Sequence, residues 1–186
     1  MRNTGLIFLL MLAGCVSADR PDLASVELKT IEGAPVKLAN DDEKLKVFIF
    51  MSPECPLCIS YSTVLVELNE RFKDSGVLFF TIYPGTFYTV NQIMEFQIEY
   101  DFHLNAYLDP TSKFAKLLKA TVTPEVFLLS KKGEVVYSGA IDDWAFAPGK
   151  KRQITEKKYL ENAITQAIAG AIPEPSKTEA IGCYIE

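Results

Sequence analysis

The stretch Leu45-Lys46-Val47-Phe48-Ile49-Phe50-Met51-Ser52-Pro53-Glu54-Cys55-Pro56-Leu57-Cys58 decides how this chain folds. Its first seven residues are mostly apolar and suit a central strand buried on both faces. Beyond Cys55 the apolar residues Tyr61, Leu65, Leu68 and Phe72 step by four, three and four, which is one face of a helix from Pro56 to Phe72. The two cysteines therefore sit where a strand turns into a helix. At i and i+3 they share a helix face and can close a disulfide without moving the backbone. Cys55, at or just before the first helical residue, meets the free N–H groups of Leu57 and Cys58 and the positive end of the helix dipole, which favour a thiolate. Pro56 suits the first turn because it has no N–H to leave unpaired. Cys55 is thus the expected attacking sulfur, and Cys58, one turn inward, the expected resolving sulfur. Two other readings compete. A four-ligand zinc site needs two more Cys or His ligands, and a structural disulfide across so short a loop gains little chain entropy. Redox chemistry is the favoured reading.

Outward from the dithiol the pattern alternates. Residues 25–30 and 35–38 alternate apolar and polar around Glu32-Gly33, which predicts a small hairpin. A second buried strand is expected over 76–83, a helix over 90–100, a short strand over 105–108 and a short helix over 111–118. Glu125 to Leu129, a Lys131-Lys132-Gly133 turn and Glu134 to Tyr137 predict an antiparallel hairpin. Residues 141–151 read as a loop, and 155–169 as a final helix with Leu160, Ile164 and Ile168 on one side. The fold class expected is α/β, a central mixed β-sheet flanked by helices, over residues 24–170. Pro173-Glu174-Pro175-Ser176 ends the packed domain and opens a polar tail, 171–186, that carries Cys183. Fully extended, its stretch from Ala171 to Gly182 reaches about 40 Å, enough to bring Cys183 to Cys55.

Composition limits the chemistry. The 186 residues carry 19 Lys and Arg against 24 Asp and Glu, a net charge of −5 that gives a nucleic-acid backbone no attraction. With one His, His-based metal clusters and a Ser-His-Asp triad are both improbable. The reading requires no cofactor and no metal. It leaves the four cysteines, at 15, 55, 58 and 183.

Cys15 belongs to a targeting segment. Arg2 followed by the apolar run Leu6 to Ala13 is too short to span a bilayer and reads as a signal peptide over residues 1–14. Its end, Leu12-Ala13-Gly14-Cys15, resembles the lipobox of bacterial lipoproteins. That resemblance implies lipidation of Cys15, a short tether over 15–23, and a domain held by a lipid anchor in the periplasm. Val16 after the cysteine favours the outer membrane. Export also places the other thiols where disulfides persist.

The run Phe48 to Cys58, followed by Thr121-Val122-Thr123-Pro124-Glu125-Val126-Phe127-Leu128-Leu129, resembles the thioredoxin-like superfamily in its redoxin/AhpC-TSA branch. The resemblance implies a thioredoxin-like fold, and a cis Pro124 lying against the dithiol with Thr123 receiving the substrate peptide. A closer resemblance is to exported bacterial redoxins that share three segments: Thr123 to Phe127, Gly139-Ala140-Ile141-Asp142-Asp143, and Gly182-Cys183-Tyr184-Ile185. The implied function is thiol-disulfide exchange with protein disulfides or dithiols, served by an upstream electron donor or acceptor.

Some residues complicate the picture. Glu54 beside Cys55 should raise the thiol's pKa. No acid occurs from Leu45 to Met51, which leaves the proton acceptor for Cys58 unassigned. A thiol peroxidase using Cys55 is one alternative, with Ser52 at the hydroxyl position and Arg152 as a candidate helper. A copper-binding chaperone using Cys55, Cys58 and His103 is another, although its spacing would be Cys-x-x-x-Cys. Cys183 is a candidate additional redox thiol, either a second resolving thiol or a tethered internal substrate. Tyr61 reads as core, and Trp144 as a cover over a hydrophobic edge.

Overall fold

The computed structural model describes residues 20–38 and 43–186. Signal peptide, Cys15 and most of the tether lie outside the described residues. After a 3₁₀ turn at Leu23–Ser25 the chain forms β1 (Glu27–Thr30), β2 (Pro35–Lys37), β3 (Leu45–Phe50), α1 (Pro56–Phe72), β4 (Val77–Pro84), α2 (Val90–Glu99), β5 (Ala106–Asp109) and α3 (Lys113–Leu118). There follow β6 (Val122–Thr123), β7 (Glu125–Leu129), β8 (Val135–Gly139), β9 (Ala145–Ala147), β10 (Lys150–Lys151), α4 (Tyr159–Ile168) and β11 (Cys183–Tyr184). Seven strands make one mixed sheet in the order β2-β1-β5-β4-β3-β7-β8. β3 pairs in parallel with β4 and antiparallel with β7, so the dithiol strand is central, as its apolar run requires.

Alternation along the central strands sorts the core into two layers. Val47 and Ile49 of β3, Val126 and Leu128 of β7, and Phe79 of β4 face α1, α2 and α4, where Tyr61, Leu65, Ile93, Phe96, Leu160 and Ile164 are buried. Phe48, Phe50, Phe127 and Leu129 face the other way, against Leu23, Leu28 and Phe114. The dithiol belongs to the first layer.

Three expectations need correction. The loop expected over 141–151 contains the β9–β10 hairpin. The final helix starts at Tyr159 rather than 155, because the Asp143 carboxylate takes the N–H groups of Glu156 and Lys157 at 2.9 Å each and holds them outside the helix. The third concerns the tail, which does not leave the domain at Pro173. It runs back along β8, with a bridge between Lys177 and Ser138, and then pairs β11 antiparallel to β6. Tyr61 is buried as expected and also donates its hydroxyl to Asp142 at 2.6 Å, and Asp142 accepts the Trp144 N–H at 2.9 Å. Asp142 thus ties the β8–α4 connection to α1, and Asp143 braces that connection from within.

Candidate functional site

Cys55 is the N-cap of α1 with extended backbone, and Pro56 opens the helix behind it. Both thiols are buried: Cys55 is 1% exposed and Cys58 is fully enclosed. The Ser52 N–H points at the Cys58 sulfur, 3.4 Å away. The Thr123–Pro124 bond is cis. The loop it forms stands against the dithiol, and as a thiol Cys55 donates to the Thr123 carbonyl at 3.1 Å.

The site separates the two thiols electrostatically. Cys55 is brought down to about 5, chiefly by the Cys58 thiol donating to it, with a second donation from Cys183, while burial opposes both. The Cys58 N–H, as expected at a helix start, and the Cys183 N–H of β11 add to this. On ionisation Cys55 gives up its bond to Thr123, and those donors hold the thiolate instead. Cys58 goes the other way: burial first, and then the Cys55 charge, keep it protonated. A readily ionised thiol beside one that stays protonated is an arrangement suited to a two-step exchange. Glu54, expected to oppose the helix end, is not among the groups that shift Cys55: its carboxylate accepts from Gln92 of α2 at 3.1 Å, and the net shift of Cys55 is downward.

This ionisation gives a direct prediction. Alkylation of reduced Cys55 by iodoacetamide should rise through a midpoint near pH 5 and then level off, against an ordinary thiol near 9.0. Replacing Cys183 with Ala removes one donor to the thiolate and should move the midpoint upward.

The other sequence candidates separate. Cys183, which sequence left free to reach or miss the site, has its sulfur 2.7 Å from that of Cys55. His103 stands beside Asp101 at 3.4 Å in an exposed position. Among the described residues no three His, Cys, Asp or Glu side chains are arranged to hold a metal ion. Arg152 binds Asp143 at 3.1 Å and lies over the Phe146 ring. Trp144 packs edge-on against Tyr61, with Lys151 over its ring.

Sequence reasoning missed the residues that shape the Thr123 loop from behind. Glu125 accepts the N–H groups of Thr121 and Val122 at 2.7 and 3.3 Å, which fixes the strand that enters the cis bond. Its signal was present only as the glutamate after Thr123-Pro124. The buried Tyr83, in the same core layer as Cys58, carried no signal.

Several solved structures share this architecture. A hypothetical protein from Sinorhizobium meliloti 1021 matches with a TM-score of 0.77 and 23% identity, covering 91% of this chain and 94% of its own. An uncharacterized conserved protein from Geobacillus kaustophilus matches at 0.76 and 20%, covering 90% and 92%. A secreted Mycobacterium tuberculosis disulfide oxidoreductase, homologous to DsbE of E. coli, matches at 0.54 and 16%, covering 78% and 95%. No curated protein is significantly similar in sequence. The model of the AhpC/TSA family matches residues 21–138, from before β1 into β8, and so includes both thiols of the dithiol and the cis-proline loop. By that match the chain belongs to the AhpC/TSA family, and its fold is thioredoxin-like.

Proposed function

We propose that this protein is a thiol-disulfide oxidoreductase that exchanges disulfides with protein partners through Cys55 and Cys58. The observation that carries the reading is the split between the two thiols: Cys55 is lowered to about 5 at the start of α1, and Cys58, one turn inward, is held protonated. At neutral pH the Cys55 thiolate attacks a partner disulfide, one partner sulfur leaves, and a mixed disulfide forms beside Thr123 and Pro124. Cys58 then attacks Cys55, releases the second partner thiol and closes the Cys55–Cys58 disulfide. A stabilised thiolate favours the reduced form, so the couple lies on the oxidising side of an ordinary dithiol, by on the order of tens of millivolts.

A thiol peroxidase would use the same Cys55, and family membership gives that reading its support. One variant separates the two. Because Cys183 lies beside Cys55, the trap is Cys58→Ser combined with Cys183→Ser. Mixed with a disulfide-bonded peptide, this variant should accumulate a covalent peptide adduct on Cys55, visible by intact mass. Absence of the adduct together with sustained hydroperoxide consumption would sink the exchange reading.

The envelope location rests on Leu12-Ala13-Gly14-Cys15. No helix among the described residues is long and apolar enough to cross a membrane. Acyl chains on Cys15, at about 0.8 kcal/mol per buried CH₂, tether the domain without one. A Cys15→Ser variant should move from the membrane to the soluble fraction, and unchanged membrane association overturns the lipid anchor.

A further inference from the structure

The end of the chain is built onto the dithiol by backbone. Ser138 of β8 donates its N–H to Ser176 at 3.1 Å and accepts from Thr178 at 3.0 Å. The Thr178 hydroxyl lies 2.6 Å from that of Tyr137 and accepts the Ala140 N–H at 3.0 Å. Further on, β11 pairs with β6 so that Cys183 stands opposite Thr123, and the Ile185 N–H reaches the Thr121 carbonyl at 3.0 Å. Two glycines make the seat possible. A Cβ on Gly139, whose φ is +131°, would lie 2.2 Å from the Thr178 carbonyl oxygen, and one on Gly182 would lie 2.3 Å from the Thr123 carbonyl oxygen. Any side chain at either position pushes the tail off. These are the glycines of the second and third sequence segments, and seating the tail explains both.

The register has a chemical consequence. Thr123, whose carbonyl faces Cys55, is the residue that Cys183 pairs with, so the two sulfurs come within 2.7 Å. Cys55 itself is buried, whereas Cys183 is exposed. Beside them Phe87, Tyr88, Tyr184 and Ile185 border an open cavity of about 290 Å³. With β11 in place, the edge of β6 is already occupied, and an extended peptide cannot pair there at the same time.

We propose that Cys183 is a third redox thiol that carries the disulfide between the buried Cys55–Cys58 pair and partners outside. The proposal rests on Cys55 being the exchanging thiol. Starting from the Cys55–Cys58 disulfide, the Cys183 thiolate attacks the Cys55 sulfur. A Cys55–Cys183 bond forms, the Cys55–Cys58 bond breaks, and its electron pair goes to Cys58, which takes up the proton Cys183 gave up. One disulfide is present before and after, so no oxidant is consumed. A partner thiolate then attacks the exposed Cys183 sulfur, and Cys55 leaves as a thiolate. A second partner thiol displaces Cys183, which leaves the partner oxidised and the protein with three thiols.

Acidity supports this order. Burial, and then the neighbouring Cys55, push Cys183 up to about 11 in the reduced protein. The charge on Cys55 vanishes when it is in a disulfide, so Cys183 ionises more readily in the state where it must attack. The low pKa of Cys55 makes it the faster leaving group when an outside thiolate strikes Cys183.

The test uses the full chain carrying Cys58→Ser, treated with glutathione disulfide and mapped by mass spectrometry after non-reducing digestion. The Cys55 thiolate displaces glutathione thiolate to form an adduct, and Cys183 then displaces the second glutathione. The expected product is a Cys55–Cys183 bridge. Adding Gly182→Val should cut the bridge at least about tenfold in favour of the adduct, because an unseated thiol loses its effective concentration. A glutathione adduct that persists on Cys55 while Cys183 stays free, in the chain with Gly182 intact, overturns the proposal. So does a Cys183→Ser protein, with Cys58 present, that oxidises a dithiol peptide at the wild-type rate instead of at least about tenfold slower. Failure of Cys55 to react with glutathione disulfide in any variant instead rejects Cys55 as the exchanging thiol, which separates the two failures.

Discussion

Cys55→Ser should lower exchange with a disulfide-bonded substrate by at least about a thousandfold, to the background of the assay. Serine nearly matches cysteine in size and can also stand at a helix N-cap, so α1 and the turn before it keep their shape. What goes is the ionised sulfur: a hydroxyl does not deprotonate near neutral pH. Neither remaining thiol takes over. Cys58 is fully enclosed and held protonated by burial, and Cys183 is exposed but pushed up to about 11 by burial and by Cys55. Substitution removes the Cys55 part of that shift and leaves the part due to burial. Turnover of a fluorescent peptide disulfide, followed alongside thermal unfolding, checks the prediction. Lost activity with an unchanged unfolding midpoint is the expected pair of results, and activity within tenfold of wild type would remove Cys55 from the mechanism. Cys58→Ser should be milder than Cys55→Ser, because Cys183 is placed to resolve the same mixed disulfide.

What could be read from the chain followed what leaves a periodic apolar trace. The strand ending in Met51, the helix beginning at Pro56 and the hairpin after Pro124 bury whole faces, so alternation or helical spacing marked them at nearly their observed bounds. The β9–β10 hairpin left no such trace, because Phe146 and both residues of β10 face solvent. The tail was hidden for a different reason. It is held by backbone hydrogen bonds to Ser138 and Thr121 and by clearance at Gly139 and Gly182, none of which places an apolar side chain at a regular interval. Residue identity signalled those glycines only as members of short segments, and their purpose depends on partners far along the chain, Thr178 for Gly139 and Thr123 for Gly182. The same limit applied to Glu54. Adjacency along the chain put its charge next to Cys55, whereas the turn before α1 sends its carboxylate to Gln92.

Phe48→Ala should cost about 4 kcal/mol of stability, within the range for truncating a buried phenylalanine and a large share of a typical domain's total. Phe48 is fully buried in the central strand, stacked on Phe80 at 5.1 Å and meeting Phe114 edge-on at 4.9 Å. Removing the ring forfeits its transfer energy and both ring contacts. It also leaves a cavity that α3 can close only by moving Phe114, which packs against Phe50 as well. The midpoint of urea unfolding, with an unchanged slope, measures the loss. A cost below about 1.5 kcal/mol would mean that the layer collapses around the gap. The variant also separates stability from chemistry, because Phe48 faces the layer away from the dithiol, while its neighbours Val47 and Ile49 face α1. Nothing that lowers Cys55 touches Phe48, since the donors come from Cys58 and from the tail paired with Thr123. In conditions where the variant is still folded, its Cys55 should therefore alkylate with the same midpoint near pH 5. A midpoint displaced toward 9 would show that packing on the far side of the sheet sets the position of α1 against the cis-proline loop, so that the thiolate depends on the whole sheet and not on its local donors alone.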